Sequence, residues 1–283
     1  MNILGIIPAR MGSSRFPGKP MANILGKPMI GHVYNNLSTC KYLSHIAVAT
    51  CDRVIVDYIE SINGIAIMTS DKHERASDRC AEAVDILEKD LNIKFDIIVM
   101  VQGDEPLINN IMLNQAIIPI IENSKINIIN LIGKIDNELE FKDQNCIKVL
   151  KNINNEALYF SRQPIPNTGF NHSYAFKQIC VIPFRRDFLK LYTELQPTPI
   201  ETITMESCVA KFKEYIDDNI IISGIPETQP KMRGLDLIKN YISEKNELDN
   251  FANVYRRIEN PAVFTYGTDE SEYITKININ NKY

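Results

Sequence analysis

No Cys-x-x-Cys pair occurs in this sequence, and its six cysteines (Cys40, Cys51, Cys80, Cys146, Cys180, Cys208) are scattered, several of them inside apolar runs. That spacing excludes a thiol-disulfide motif and points to reduced core thiols. The four histidines (His32, His45, His73, His172) are not grouped with the cysteines, so a structural zinc site, which needs clustered ligands, is not expected. No apolar run approaches the ~20 residues that span a bilayer, and no charged leader precedes the short apolar stretch after Met1. The expectation is a soluble, cytoplasmic protein with no membrane partner. An excess of positive charge is also missing: the net charge is -4, which argues against a nucleic-acid coat or a polybasic membrane binder. Internal repeats are absent as well.

What the chain does have is length and apolar content. At 283 residues and 45% hydrophobic, it can bury a proper core as one large α/β domain or two small ones. Strand and helix patterns alternate over the first 125 residues. Buried strands are expected at residues 3–7, 46–50, 65–69 and 96–101, with helical spacing at 29–37, 53–62 and 81–91. Ser77 is the expected N-cap of the last of these helices. The run at 96–101 is apolar on both faces, as a central parallel strand covered on both sides must be. These features predict a doubly wound, Rossmann-like sheet with its ligand at the carboxyl ends of the strands.

Past residue 125 come shorter strand candidates at 126–131, 146–150, 158–161 and 178–184, which suggest an antiparallel or mixed extension of the sheet. A helical stretch is expected at about 197–215, a last strand at 220–223 and a last helix at 235–242. The expected organisation is one α/β domain over residues 1–245, within which about 126–200 form a substrate and dimerisation extension. Residues 246–283 are a C-terminal tail of unclear order.

The first strand empties into a loop holding Arg10, Arg15 and Lys19 among Gly12, Ser13, Ser14 and Gly18. Glycines let a backbone approach an anion closely, and three cations neutralise charge that a lone lysine could not, so this loop reads as a phosphate cradle. The bland alternative is a basic surface loop. It is not the common P-loop, because Lys19 is followed by Pro20 rather than Ser or Thr. The run at 96–101 ends in Gln102-Gly103-Asp104-Glu105-Pro106. A carboxylate at the tip of a buried strand is stabilised by a divalent cation carried on phosphate oxygens, and Asp104 suits magnesium, which prefers one or two carboxylates. Glu105 suits a cap for the turn that follows. In a doubly wound sheet the cationic and acidic loops face one another across one crevice.

Four segments carry a resemblance. Ile-Pro-Ala-Arg with Gly-Lys-Pro in residues 7–20, His73 to Arg79 (HERASDR), Val-Gln-Gly-Asp-Glu-Pro at 101–106 and Tyr-Phe-Ser-Arg at 159–162 together resemble the 3-deoxy-manno-octulosonate (Kdo) cytidylyltransferases, or CMP-Kdo synthetases, and the related acylneuraminate cytidylyltransferases. The likeness covers about residues 1–200. It implies a fold of the nucleotide-diphospho-sugar transferase type, a homodimer, and a reaction in which a sugar-acid hydroxyl attacks the α-phosphorus of CTP.

Carried onto this chain, the resemblance assigns Arg10 and Lys19 to the triphosphate and Asp104 to Mg2+. Pro8 and Ala9 would contact the nucleotide through the backbone, with Arg15 in the same cradle and Arg75, Ser77 and Asp78 near the cytosine. Gln102, Arg162, Gln178 and Glu201 would meet the sugar acid, Arg162 by a bidentate clamp on its carboxylate, although an arginine there suits a structural ion pair equally well. Gln178 stands where the family has a histidine. The second metal carboxylate of the family has no clean match: Asp236 or Glu227 substitutes for it, or none does. Two other readings remain open, a nucleotidyltransferase for another sugar and a diverged nucleotide-binding paralogue without activity.

Overall fold

β1 (Ile3–Ala9) is buried at all its positions, and alternation along it supplies two separate cores. Leu4 and Ile6 join one and Ile3 and Ile7 the other, as the period of two in a strand demands. The computed structural model describes residues 1–12, 16–167, 169–195 and, as backbone, 221–223.

The expected alternation follows: α1 (Met29–Ser38), β4 (His45–Thr50), α2 (Arg53–Ser61), β5 (Ile65–Met68), α3 (Ala76–Leu91), β6 (Ile97–Val101) and α4 (Asn110–Glu122). Between β1 and α1 lie a 3-10 turn at Lys19–Met21 and a small hairpin of β2 (Asn23–Ile24) and β3 (Lys27–Pro28). Leu25 and Gly26 turn that hairpin at φ 50 and 81. Ser77 is not the N-cap of α3: the helix starts earlier, Arg75 holds the cap position, and Ser77 lies buried in the first turn. A serine in the first turn competes with the cap position through the same side-chain chemistry, so spacing alone cannot separate them.

The main sheet has the order β11-β6-β1-β4-β5, in which only β11 (Val181–Arg185) runs antiparallel. From β1 the chain moves outward through β4 to β5, then returns through α3 to place β6 on the other side of β1. The order therefore reverses between β1 and β6, and a crevice opens beyond the carboxyl ends of these two strands. α3 and α6 (Arg186–Glu194) pack on one face of the sheet, where Cys80, Ala83, Val84, Leu87, Phe188 and Tyr192 are buried. α1, α2 and α4 cover the other face with Ile30, Val33, Ile55, Ile59, Met112 and Leu113. The mixed, doubly wound α/β fold expected from the sequence is present.

A second five-stranded sheet has the order β12-β7-β10-β8-β9. It comprises β7 (Ile129–Lys134), β8 (Lys148–Lys151), β9 (Ala157–Ser161), β10 (Phe176–Gln178) and β12 (Ile221–Ser223), with the short helix α5 (Glu138–Lys142) between β7 and β8. β7 with β10, β10 with β8 and β8 with β9 pair antiparallel, whereas β12 pairs with β7 in parallel. The single strand expected at 178–184 is in fact two strands in different sheets. The chain leaves the second sheet at Ile179, whose N–H donates to the Leu131 carbonyl (2.8 Å), and enters the first at Cys180, whose carbonyl accepts from the Gln102 N–H (3.0 Å). Apolar residues on both sides of that switch hide it from the pattern. The helices expected at 197–215 and 235–242, and the tail at 246–283, lie outside the described residues. Among the described residues no helix is long and apolar enough to cross a membrane.

Candidate active site

The reversal between β1 and β6 brings the cationic and acidic loops into contact. Lys19 and Asp104 form an ion pair, with the two side chains 15% and 27% exposed. Lys19 begins the 3-10 turn that follows Gly18, whose φ of 73 is a left-handed conformation costly to any residue with a Cβ. The first loop is closed on itself by the Gly18 N–H, which donates to the Met11 carbonyl (3.0 Å), and is fastened to the start of α2 by the Met11 N–H, which donates to Oδ2 of the N-cap residue Asp52 (2.7 Å).

Asp104 is set by the close approach of two backbones. A Cβ built on Gly103 would lie 3.3 Å from the Pro8 carbonyl oxygen and 3.3 Å from Ile30 Cδ1, so a side chain there would push the acidic loop away from the end of β1. The Glu105 N–H closes the turn on the Gln102 carbonyl (3.2 Å).

A cavity of about 370 Å³ lies over this ion pair. Pro8, Ala9, Arg10 and Lys19 line it from the β1 side, and Gln102, Gly103 and Asp104 from the β6 side. The segment before and into α3 closes it with His73, Glu74, Arg75, Ala76 and Arg79. Four cations (Arg10, Lys19, Arg75, Arg79) and two carboxylates (Glu74, Asp104) line the cavity, which gives a positive field in a protein of net charge -4.

The α3 wall is braced from behind. Glu82 Oε2 accepts from the Ser70 N–H (2.9 Å) and lies 2.5 Å from His73 Nε2. A carboxylate only accepts, so Nε2 presents a proton to Glu82 and the ring is held in orientation.

The structure gathers Pro8, Ala9, Arg10, Lys19, Arg75, Gln102 and Asp104 around one cavity. Ser77 and Asp78 are not among its lining residues; Ser77 is buried and Asp78 Oδ1 is a buried oxygen without a hydrogen-bond partner. Arg162 and Gln178 lie on the second sheet rather than in the lining of this cavity. Arg162 Nη1 donates to the Gln144 carbonyl (2.8 Å), and Gln178 Nε2 donates to Asn130 Oδ1 (2.7 Å). Arg15, Glu201, Glu227 and Asp236 lie outside the described residues.

His73, Glu74 and Arg79 line the cavity without having been expected as site residues, and of these three Arg79 is the buried one. It is 3% exposed, its Nη1 donates to Thr69 Oγ1 (2.6 Å), and its Nη2 is buried without a partner. A signal was available: Arg79 falls on the same stripe of α3 as Cys80, Ala83, Val84 and Leu87, and a guanidinium in an apolar stripe wants a polar partner.

Among the described residues no group of three or more His, Cys, Asp or Glu is arranged to hold a metal ion. Magnesium carried on nucleotide phosphates needs no such cage, only one or two carboxylates and water. The partly exposed carboxylate of Asp104, in the wall of a cationic cavity, fits that requirement.

Comparison with known proteins agrees with this geometry. The model of the family described as Cytidylyltransferase matches residues 4–220. The 3-deoxy-manno-octulosonate cytidylyltransferase of Geobacter metallireducens is 38% identical over 215 residues, spanning 71% of this chain and 82% of that protein. The protein of the same name from Trichlorobacter lovleyi is 41% identical over 213 residues, spanning 71% and 82%. Among solved structures, a CMP:2-keto-3-deoxy-manno-octonic acid synthetase complexed with CTP superposes with a TM-score of 0.71 at 28% identity, covering 87% of this chain and all of that one.

Proposed function

The chain belongs to the cytidylyltransferase family, and from that premise we propose that it couples CTP to 3-deoxy-manno-octulosonate, yielding the CMP-sugar and pyrophosphate. The observation that carries this reading is the meeting of Lys19 and Asp104 inside one cationic cavity at the carboxyl ends of β1 and β6. Relatives about two-fifths identical carry the name of that activity.

In this reading the anomeric oxygen of the sugar acid forms a bond to the α-phosphorus, the bond from that phosphorus to the bridging oxygen of the β-phosphate breaks with its electron pair going to pyrophosphate, and the hydroxyl proton passes to solvent water. Charge accumulates on the departing pyrophosphate. Arg10 and Lys19 bind the triphosphate and stabilise that charge, while Arg15 completes the cradle. The backbone of Pro8 and Ala9 seats the nucleotide. Arg75 and Arg79 close the side of the cavity formed by α3, beside Ser77 and Asp78, so that the base lies against this wall.

Asp104 would hold Mg2+, with Asp236, Glu227 or no further carboxylate beside it. When bound, magnesium supplies Lewis-acid polarisation of the phosphate oxygens. No protein nucleophile is needed, because positioning and charge stabilisation carry nucleotidyl transfer. Gln102, Arg162, Gln178 and Glu201 receive the sugar acid, Arg162 through its carboxylate. The enzyme works in the cytoplasm as a homodimer, with the second sheet as the pairing extension.

Pyrophosphate release from CTP, Mg2+ and Kdo tests the proposal. Release with Kdo above that with 8-amino-Kdo or a sialic-type acid supports it. Preference for 8-amino-Kdo keeps the reaction and changes the sugar, in line with the uncharged Gln178–Asn130 pair. Release only with a hexose 1-phosphate overturns it.

A further inference from the structure

Lys148 is a buried lysine whose ammonium is held by backbone rather than by a carboxylate. The residue is 1% exposed, and lysine is almost never so buried without partners. Its Nζ donates to the carbonyls of Asp143 (2.8 Å), Cys146 (2.7 Å) and Arg162 (2.5 Å). An ammonium has three protons, and these three acceptors use all of them. Burial pushes the Lys148 pKa down, against a pull in the other direction from Cys146 and Asp143, so the site bears a real desolvation penalty. A methionine, one atom shorter, would fill most of the space without that penalty, but would leave three inward-facing carbonyls without donors.

What these bonds join is informative. Asp143 and Cys146 bracket the loop between α5 and β8, while Arg162 lies one residue beyond the cross-strand pair of Lys148 and Ser161. The same loop also takes the other end of Arg162, since Nη1 donates to the Gln144 carbonyl (2.8 Å). Arg162 is therefore fixed at its backbone by Lys148 and at its guanidinium by the loop that Lys148 holds. Arginine carries many rotamers, and a guanidinium binds a carboxylate bidentately only from a defined position. On the next step of the ladder the Gln178 N–H donates to the Ile147 carbonyl (2.9 Å), so Gln178 hangs on the same end of β8.

We infer that Lys148 is a positioning residue for the sugar-acid half of the reaction: its ammonium ties the 143–146 loop to the Arg162 backbone and so sets the guanidinium that receives the sugar carboxylate. This rests on the reading of Arg162 as a sugar contact given above. Lys148 touches neither substrate, and its effect passes through Arg162, whose backbone carbonyl its ammonium holds.

The test is steady-state pyrophosphate release with CTP and Kdo for Lys148→Met, Arg162→Ala and the double variant. Lys148→Met is expected to raise KM for Kdo about tenfold while KM for CTP stays within about twofold. The double variant should be no worse than Arg162→Ala, because aim is irrelevant once the guanidinium is gone. Lys148→Gln, which keeps donors for two of the carbonyls but no charge, carries the same test if the methionine variant does not fold. Equal rises in both KM values, an unchanged KM for Kdo, additive losses in the double variant, or loss of folded protein in both Lys148 variants would overturn the positioning role. If Arg162→Ala leaves KM for Kdo unchanged while the wild-type enzyme turns over Kdo, the sugar-clamp reading itself fails and the inference falls with it.

Discussion

At the scale of single residues, Asp104 carries the sharpest prediction. Asp104→Asn removes one charge at nearly constant volume from a side chain that is about one-quarter exposed and paired with Lys19. A partly exposed pair contributes little to stability, about 0–1 kcal/mol, whereas, on the proposed role of Asp104 as the magnesium carboxylate, its loss removes electrostatic stabilisation of the departing pyrophosphate. The variant is expected to melt within a few degrees of the wild type and to lose about a hundredfold or more in turnover. Thermal melting followed by circular dichroism, alongside pyrophosphate release, checks both halves; normal turnover removes Asp104 from the metal. Asp104 and Lys19 were legible because each ends or follows a buried strand with glycine beside it. Arg79 was harder to see, because its neighbours in HERASDR are polar and its burial depends on a Thr69 hydroxyl ten residues away, a contact that no spacing rule predicts.

At the scale of elements, α3 is the wall of the cavity and α6 is its brace. Arg186, 8% exposed at the start of α6, contacts Asp85 and reaches Glu88 of α3, with Nη2 2.8 Å from Oε2 and Nε 3.2 Å from Oε1. Burial pushes the Glu88 carboxyl up, but hydrogen bonds from Arg186 and from the Phe95 N–H prevail and hold it below the ordinary carboxylate range. A carboxyl depressed in the folded state stabilises the fold above its unfolded pKa, and this contribution is lost as pH falls through the lower, folded value.

Removal of Glu88 leaves the buried guanidinium with Asp85, a more exposed partner, as its remaining ion pair, so Glu88→Ala is expected to cost about 2 kcal/mol near neutral pH. In urea melts, Glu88→Gln should show a shallower loss of stability than wild type as pH falls below about 4. Parallel acid limbs in the two proteins would show that Glu88 carries none of that dependence. The clamp spans 98 residues of sequence, and for that reason periodicity within either helix could not reveal it. The same limit explains the strand expected at 178–184: hydrophobic pattern reports burial, and both halves of that run are buried, but it does not say against which sheet.

At the scale of the whole molecule, the doubly wound half was legible because each strand and helix declares its period locally, and strand order then follows from few alternatives. The second sheet was legible only as a set of short strands, since its pairing of β10 with β7 and β8 and of β12 with β7 is set by contacts between distant segments. The cavity joins three such segments: the loop after β1, the loop after β6, and the wall leading into α3. A nucleoside triphosphate held there links all three. Its binding therefore stabilises the folded chain as a unit, by RT ln(1 + [L]/Kd), or about 2.7 kcal/mol at a hundredfold excess over Kd.

CTP with Mg2+ is expected to raise the melting temperature by several degrees, more than ATP or GTP at the same concentration. Because the cavity's attraction is ionic in a protein of net charge -4, the shift should shrink as salt rises. The magnesium part of the shift should vanish in Asp104→Asn while the CTP part survives on Arg10 and Lys19. Equal shifts from all three nucleotides would leave a phosphate site without base recognition, and a full magnesium effect in Asp104→Asn would place the metal on other groups.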